Sequence, residues 1–260
     1  MKMKIRIRSL IPVCMALAVH TASAQVQPVD YVDMFMGNRG ESNCVIGPQL
    51  PHGSVNPSPQ TPGGGNDGYD PLQPIRGFGQ LHVSGTGWGR YGQILLSPQV
   101  GFSADEQGHD SPKSGESALP YYYAVTLDRY GIRTELAPTH NAAIYRFSFP
   151  AAEDANILLD IAHNIPQHIK PEIGGRFLGG AISYDPETGI IGGWGSYRGG
   201  FGSGAPYKVY FAAALDRAPR SVAVTDDGDG KLYARIALPP FDAPGTVLLK
   251  IAVSLRSDTA

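Results

Sequence analysis

An alternation of apolar and polar side chains with a period of two recurs from Tyr121 onward, and it restricts the fold more than any other feature. At residues 231–238 the even positions are apolar, and at 247–255 the odd positions are all large and apolar. This period is typical of a half-buried β-strand. Similar segments occur at 132–136, 143–149, 156–162, 207–215 and 221–225. No window of helical length shows a 3.6-residue period with caps. Roughly ten strands separated by Gly, Pro and Asp turns predict a mainly β protein, an antiparallel β-sandwich.

Composition agrees with this fold class. The chain has 260 residues with 33 Gly and 22 Pro, and it is 42% hydrophobic and 17% charged. It can therefore bury a core and is not expected to be disordered. The formal net charge is −2. Nothing in the sequence indicates the basic stripe that binding to nucleic acid requires. One sandwich of this length is reasonable as a single domain.

Residues 1–24 have the pattern of a signal peptide. Four basic residues within the first eight precede an apolar run at 10–19 that is too short to span a bilayer, and Ala22-Ser23-Ala24 is a cleavage signal. We therefore expect a mature domain of residues 25–260 that is exported, periplasmic or secreted, with no membrane span. Cys14 leaves with the leader, so Cys44 cannot form an internal disulfide, and we expect it to be a small buried hydrophobe.

A glycine-rich stretch at 77–92 holds six glycines together with His82, Trp88 and Arg90. Glycine at this density indicates positive φ or close approach of the backbone to another group. The stretch is either a turn between two strands or a sugar-binding loop. In a sugar-binding loop, Trp88 offers a flat apolar face, and His82, Ser84, Thr86 and Arg90 offer hydrogen bonds to hydroxyls. A formal dinucleotide fingerprint at 87–92 is followed by a strand-like run rather than a helix, so we do not expect a nucleotide.

Several blocks, in this order and spacing, resemble the N-terminal domain of glycoside hydrolase family 92, the exo-acting α-mannosidases. They are Asp33-Met34-Phe35-Met36-Gly37-Asn38, the proline-rich 47–61, Gly68-Tyr69, the stretch 77–98 with Ser84-Gly85-Thr86-Gly87, then 121–127 and 134–139. The resemblance extends from Asp30 to the end of the chain. Two blocks depart from the family pattern. Gly79-Gln80 stands where the family has a serine and a polar residue, and Pro51-His52-Gly53 replaces Pro-Phe-Gly.

The resemblance implies a supersandwich of the galactose-mutarotase type in a calcium-dependent, inverting α-1,2-mannosidase that acts on mannose-containing oligosaccharides. In that family the catalytic carboxylates and most calcium contacts lie in a helical domain that follows the sandwich. No residue here matches the catalytic acid or base, so we assign no catalytic residue and no metal ligand in this chain. What carries over is one wall of the active site: His82, Ser84, Gly85, Thr86, Gly87 and Trp88.

Other polar and aromatic groups allow two interpretations each. Asp67 and Asp70 either meet a sugar hydroxyl or a cation, or they form a turn that lacks an apolar pocket. Gly68 between them, like Arg90, is a possible further sugar contact. The acidic 226–230 cluster suggests calcium but is more typical of a hairpin turn. We expect His163 and His168 to be loop or core histidines.

The stretch 194–201 could line the groove of Trp88 or pack the sandwich. The polar segment 104–118 is predicted to be an exposed loop.

Three functions remain open from the sequence. The chain could be the N-terminal module of a mannosidase, a stand-alone exported carbohydrate-binding protein, or a structural or interaction sandwich. The aromatic at Trp88 favours the first two.

Overall fold

The computed structural model describes residues 26–38, 44–65, 67–82, 91–165, 175–199, 205–228 and 230–257. The predicted leader 1–24, the loop residues Ser84, Gly85, Thr86, Gly87, Trp88 and Arg90, and His168 lie outside these ranges. In the described part the chain is almost entirely strand, so the prediction of a mainly β antiparallel fold is confirmed.

Fourteen strands occur in the described residues. They are β1 (Ser58–Gln60), β2 (Gly77–Gly79), β3 (Leu95–Val100), β4 (Lys113–Leu119), β5 (Tyr122–Leu127), β6 (Ile132–Pro138), β7 (Ala142–Phe149), β8 (Ala155–Asp160), β9 (Arg176–Asp185), β10 (Ile190–Arg198), β11 (Tyr207–Leu215), β12 (Ser221–Asp226), β13 (Leu232–Ala237) and β14 (Gly245–Ser254). A single-turn helix α1 (Glu106–His109) lies between β3 and β4, and a 3₁₀ turn forms at Pro28–Tyr31.

Two antiparallel sheets contain these strands. The smaller has six strands in the order β1-β2-β3-β8-β13-β12, and the larger has eight in the order β4-β5-β6-β7-β14-β11-β10-β9. Strand β8 lies inside the smaller sheet, where Leu159 pairs with Leu96 of β3 and Ile157 pairs with Ile236 of β13. The smaller sheet is therefore assembled from segments that are far apart in sequence.

One core fills the space between the sheets. Phe78 of β2 packs edge-on against Tyr123 of β5, with ring centroids 6.4 Å apart, and lies 6.1 Å from Tyr145 of β7. Tyr145 also stacks on Phe147 at 5.6 Å. Fully burying a ring of this size contributes about 1.5–3 kcal/mol. The alternation predicted for 247–255 appears in β14, where the odd positions from Val247 to Val253 are buried and Leu255 lies exposed beyond the strand.

Two sequence-based expectations were wrong. The polar segment 104–118 is not an exposed loop, because it forms α1 and most of β4. Asp105 caps the helix by accepting the Gly108 N–H at 2.9 Å. Cys44 is exposed rather than buried.

The hairpin expected at 226–230 is confirmed, because β12 and β13 pair across it. None of the helices among the described residues has the length and apolar character to cross a bilayer.

Candidate functional site

The residues on either side of the glycine-rich stretch 83–90, which lies outside the described residues, pair as a short hairpin ladder; we refer to 83–90 as the loop predicted from the sequence. The Gly92 N–H donates to the Leu81 carbonyl at 2.6 Å, and the Gln80 N–H donates to the Gln93 carbonyl at 3.0 Å. These bonds extend the pairing of β2 with β3 toward the loop. The loop therefore starts and finishes at backbone positions that the small sheet holds in place.

Backbone strain is concentrated where the chain leaves the loop. Tyr91 has φ 66° and Ile94 has φ 59°, both in the left-handed region. For a β-branched residue such as Ile94 this conformation is an outlier, and each such residue costs about 1–3 kcal/mol. The Tyr91 carbonyl accepts the Ile165 N–H at 2.8 Å, and Ile94 is fully buried, so packing maintains the strain. Strain of this kind clusters at functional sites.

His82 is buried at the entrance of the loop, and both of its ring nitrogens contact protein atoms. Nδ1 lies 2.7 Å from the Asn56 carbonyl, which can only accept, so Nδ1 carries the proton. Nε2 is then an acceptor for the side-chain amide of Gln60. Burial, followed by the nearby ring of His163, lowers the pKa of His82 to about 4. The ring is consequently neutral at pH 7 and has one defined tautomer.

Gln60 continues this chain of hydrogen bonds to a second buried histidine. Its Oε1 accepts from His163 Nε2 at 3.2 Å. His163 is placed by Asp160, whose Oδ1 accepts the backbone N–H groups of Ala162 at 2.8 Å and His163 at 3.2 Å. Burial raises the pKa of Asp160, and the His163 ring partly opposes this shift. The expectation that His163 is a loop or core histidine is confirmed, and it is also a member of the network.

The network reaches the surface at α1. His163 Nδ1 lies 3.7 Å from Glu106 Oε1, which is a charge contact when the ring is protonated rather than a hydrogen bond. Arg76 donates to Glu106 Oε2 at 2.6 Å and binds both carboxylate oxygens of Asp110, at 3.0 and 3.1 Å. His163 and then Arg76 lower the pKa of Glu106 to about 2. We call Asn56, His82, Gln60, His163 and Glu106 the histidine relay.

Two glycines leave the space that Gln60 occupies. A Cβ on Gly68 would lie 2.7 Å from Gln60 Oε1, and a Cβ on Gly92 would lie 3.2 Å from Gln60 Nε2 and 2.7 Å from Ile165 Cγ1. Both glycines have positive φ, 80° and 79°. The Gln60 amide is therefore confined between two backbone segments, which is how the relay keeps its geometry.

The turn at Asp67 and Gly68 lies beside this network. Gly68 donates to the Gly65 carbonyl at 2.9 Å, so the predicted turn is present. Asp67 is buried in this turn, since it is only 2% exposed. Asp70 stabilises the turn, since its Oδ1 accepts the Leu72 N–H at 2.8 Å.

Tyr69, next to this turn, binds a partly buried ion pair on the larger sheet. Tyr69 donates to Glu116 Oε1 at 2.7 Å, and Lys113 lies 3.2 Å from Glu116 Oε2. Tyr123 donates to the same carboxylate at 2.5 Å. Burial, with the charge of Glu116, raises the pKa of Tyr69, so both tyrosines stay neutral donors. The position of Asp67 and Gly68 is thus set by contacts with β4 and β5.

Part of the second aromatic stretch packs the sandwich, which is one of the two roles considered for it. Tyr197 is buried, donates to the Ile161 carbonyl at 2.5 Å and packs on Phe177. Trp194 is half-buried on β10, with Lys208 Nζ 4.0 Å above its ring. Whether Trp194 shares a groove with Trp88 stays a prediction, because Trp88 is outside the described residues.

Acidic, histidine and cysteine side chains do not converge on a cation position in the described ranges, since no group of three could hold a metal. In the acidic hairpin, Asp226 accepts the Gly228 N–H and Asp227 accepts the Lys231 N–H. These two carboxylates therefore stabilise the turn of the hairpin.

Comparison with known proteins identifies the family. The family model for the glycosyl hydrolase family 92 N-terminal domain matches residues 31–254. The chain belongs to this family. Its fold matches that of a family 92 α-mannosidase from Bacteroides thetaiotaomicron in complex with mannoimidazole, at 25% identity and a TM-score of 0.77, covering 88% of this chain and 32% of that one. An inverting family 92 mannosidase of the same organism shares the fold at 23% identity and a TM-score of 0.65, covering 90% of this chain and 33% of that one.

This chain is also similar to a curated relative. It is an uncharacterized secreted glycosidase of Arthroderma benhamiae, 30% identical over 133 residues, which cover 46% of this chain and 17% of the relative. The family 92 domain described here therefore spans about a third of the solved relatives and a sixth of the curated one.

The sequence predicted His82 as a sugar contact, which stays a prediction, and gave no indication of the side chains that surround its ring. Gln60 and Asn56 lie in the proline-rich block, and Glu106 lies in the segment interpreted as an exposed loop. Glycines at 68 and 92 were the available signal for a tightly enclosed side chain, but they did not indicate which side chain it was.

Proposed function

We propose that this family 92 domain is the carbohydrate-binding N-terminal module of an α-mannosidase-like glycoside hydrolase. Its ligand is a mannose-containing oligosaccharide, held at the loop 83–90. The observation that carries the proposal is the construction of the loop's two ends, where a buried relay, a closed hairpin and strained residues fix where the loop begins and finishes. A rigid platform of this kind lowers the entropic cost of ordering a ligand.

Within the loop, Trp88 stacks on the apolar face of a pyranose ring, and Ser84, Thr86 and Arg90 bond to its hydroxyls. Gly85 and Gly87 let the backbone approach the sugar. His82 has a different task in this arrangement. Because Asn56 and Gln60 occupy both of its ring nitrogens, His82 orients the start of the loop rather than donating to the sugar.

The activity of the whole enzyme follows as part of the same proposal. The chain is an exported module with a signal peptide at 1–24 and a sandwich domain at 25–260, and it works with a helical domain that supplies the catalytic carboxylates and binds calcium. The mannoimidazole complex of the α-mannosidase relative supports a mannose-type ligand. The secreted glycosidase relative supports export.

Titration calorimetry with α-1,2-linked mannobiose tests the sugar site. The chain has two tryptophans, which provide a matched pair of variants. Trp88→Ala should abolish binding and leave the thermal midpoint nearly unchanged. Trp194→Ala removes the half-buried ring under Lys208 and should lower the stability by about 0.5–1 kcal/mol. An unchanged affinity in this variant would place Trp194 outside the sugar site, and a loss as large as that of Trp88→Ala would place it in the same groove. Equal affinity of Trp88→Ala and the parent chain, or a large loss of stability, would overturn the proposal.

A further inference from the structure

Strand β12 forms an outer edge of the smaller sheet. It pairs with β13 on one side, and no described strand pairs with its other side. Every residue of Ser221–Asp226 except Val222 is exposed, and Val224 is 44% exposed. The strand lacks the lysine, proline or bulge that usually protects such an edge. An edge of this kind is a template for a further strand.

The backbone groups of β12 that face outward can be identified. The Asp227 N–H donates to the Lys231 carbonyl at 3.2 Å, which places residue 227 in a pair that bonds toward β13. Because antiparallel residues alternate in direction, Ala223 and Thr225 also bond toward β13. The N–H and C=O groups of Val222, Val224 and Asp226 consequently point away from the sheet.

We propose that β12 pairs with β12 of a second copy of this chain, antiparallel and around a twofold axis at Ala223. In this register Val222 faces Val224 of the second copy, and both belong to the outward-bonding set, so their N–H and C=O groups match. Arg220 then lies opposite Asp226 at both ends. The two six-stranded sheets join into one continuous sheet of twice that width.

Charge selects this register over its neighbours. A shift of two residues in either direction also preserves the hydrogen-bonding parity, but it separates Arg220 from Asp226. Arg220 is available for the contact, since its side chain is 49% exposed and its contact with Asp154 is long, at 3.7 Å. Its N–H already donates to the Ala237 carbonyl at 2.7 Å. With Pro219 next in sequence, the ladder ends at this residue.

Disulfide trapping tests the register. In a Cys14→Ser, Cys44→Ser background, Ala223→Cys places two thiols opposite each other in a non-hydrogen-bonded pair, where Cα atoms lie about 4.5 Å apart and a disulfide can form. Thr225→Cys is the matched control on the same face. Its two copies would be four residues out of register, about 14 Å apart, beyond the reach of a disulfide.

Mild oxidation should convert most of the Ala223→Cys protein to a covalent dimer and at least tenfold less of the Thr225→Cys protein. Equal trapping of the two variants, or none at Ala223→Cys, would overturn the proposal.

A second variant tests the pairing without a thiol. Val224→Pro removes an outward N–H and leaves the bonds to β13 intact, so it should abolish the dimer seen by sedimentation velocity and leave the thermal midpoint close to that of the parent. Arg220→Glu should weaken the dimer at least tenfold, and Arg220→Glu combined with Asp226→Lys should restore it. A parent chain that is monomeric at roughly 100 μM, where a small, weak interface still associates, contradicts the inference.

Discussion

Acidification should destabilise the domain through His82, and the size of the effect follows from its surroundings. The buried ring has a pKa of about 4, against 6.5 for an ordinary histidine. The unfolded chain therefore binds a proton at a higher pH than the folded chain does. This stabilisation is complete above pH 6.5 and is lost as the pH falls through the window from 6.5 to 4. Between pH 7.5 and 4.5, the free energy of unfolding should fall by about 2–3 kcal/mol because of this residue.

Urea unfolding of the parent chain and His82→Gln at both pH values isolates this contribution. Glutamine cannot titrate, and it keeps an amide that can bond within the relay. The difference in unfolding free energy between the two proteins should narrow by about 2–3 kcal/mol on going to pH 4.5. Other groups, including Glu106, titrate in both proteins, so their effects cancel in the difference. Parallel stability profiles for the two proteins would refute the argument that His82 is held neutral by burial.

Three further predictions follow from the sequence and the fold. Gly92→Ala should lower the free energy of unfolding by about 3 kcal/mol, because its Cβ would lie 2.7 Å from Ile165 Cγ1. Gly101 has nearly the same φ and open space around it, so Gly101→Ala should lower the free energy of unfolding by about 1 kcal/mol in the same urea assay. The chain alone should release no mannose from α-1,2-linked mannobiose with calcium present, and release that is lost on Asp67→Asn would contradict this. Sequencing of exported protein should begin at Gln25 rather than Met1.

The strands could be predicted from the sequence because their signal is local. Each strand with one face on the core alternates with a period of two, and β14 and β13 follow that pattern at the residues expected. The segment at 104–118 was misread because β4 lies at the edge of the larger sheet. An edge strand with few buried residues has no apolar alternation to reveal it.

The relay could not be predicted, because its members come from distant parts of the chain. Gln60 and His163 are separated by 103 positions, and no spacing rule links them. Cys44 was misjudged for a related reason, since burial of a small residue depends on which segments fold over it. The family resemblance located the loop but contained no information about the side chains beneath it.

The central place of β8 has a consequence for the growing chain. Its partner β3 is made earlier, but its other partner β13 begins at Leu232, 72 positions after Asp160, the last residue of β8 (232 − 160). At ~5–20 residues per second, a ribosome needs roughly 4–14 s to synthesise that interval. During this time the apolar edge of β8, with Ile157 and Leu159, has no strand to close it. In this interval the nascent polypeptide is exposed to mispairing, and a chaperone that shields unpaired strands would raise its yield.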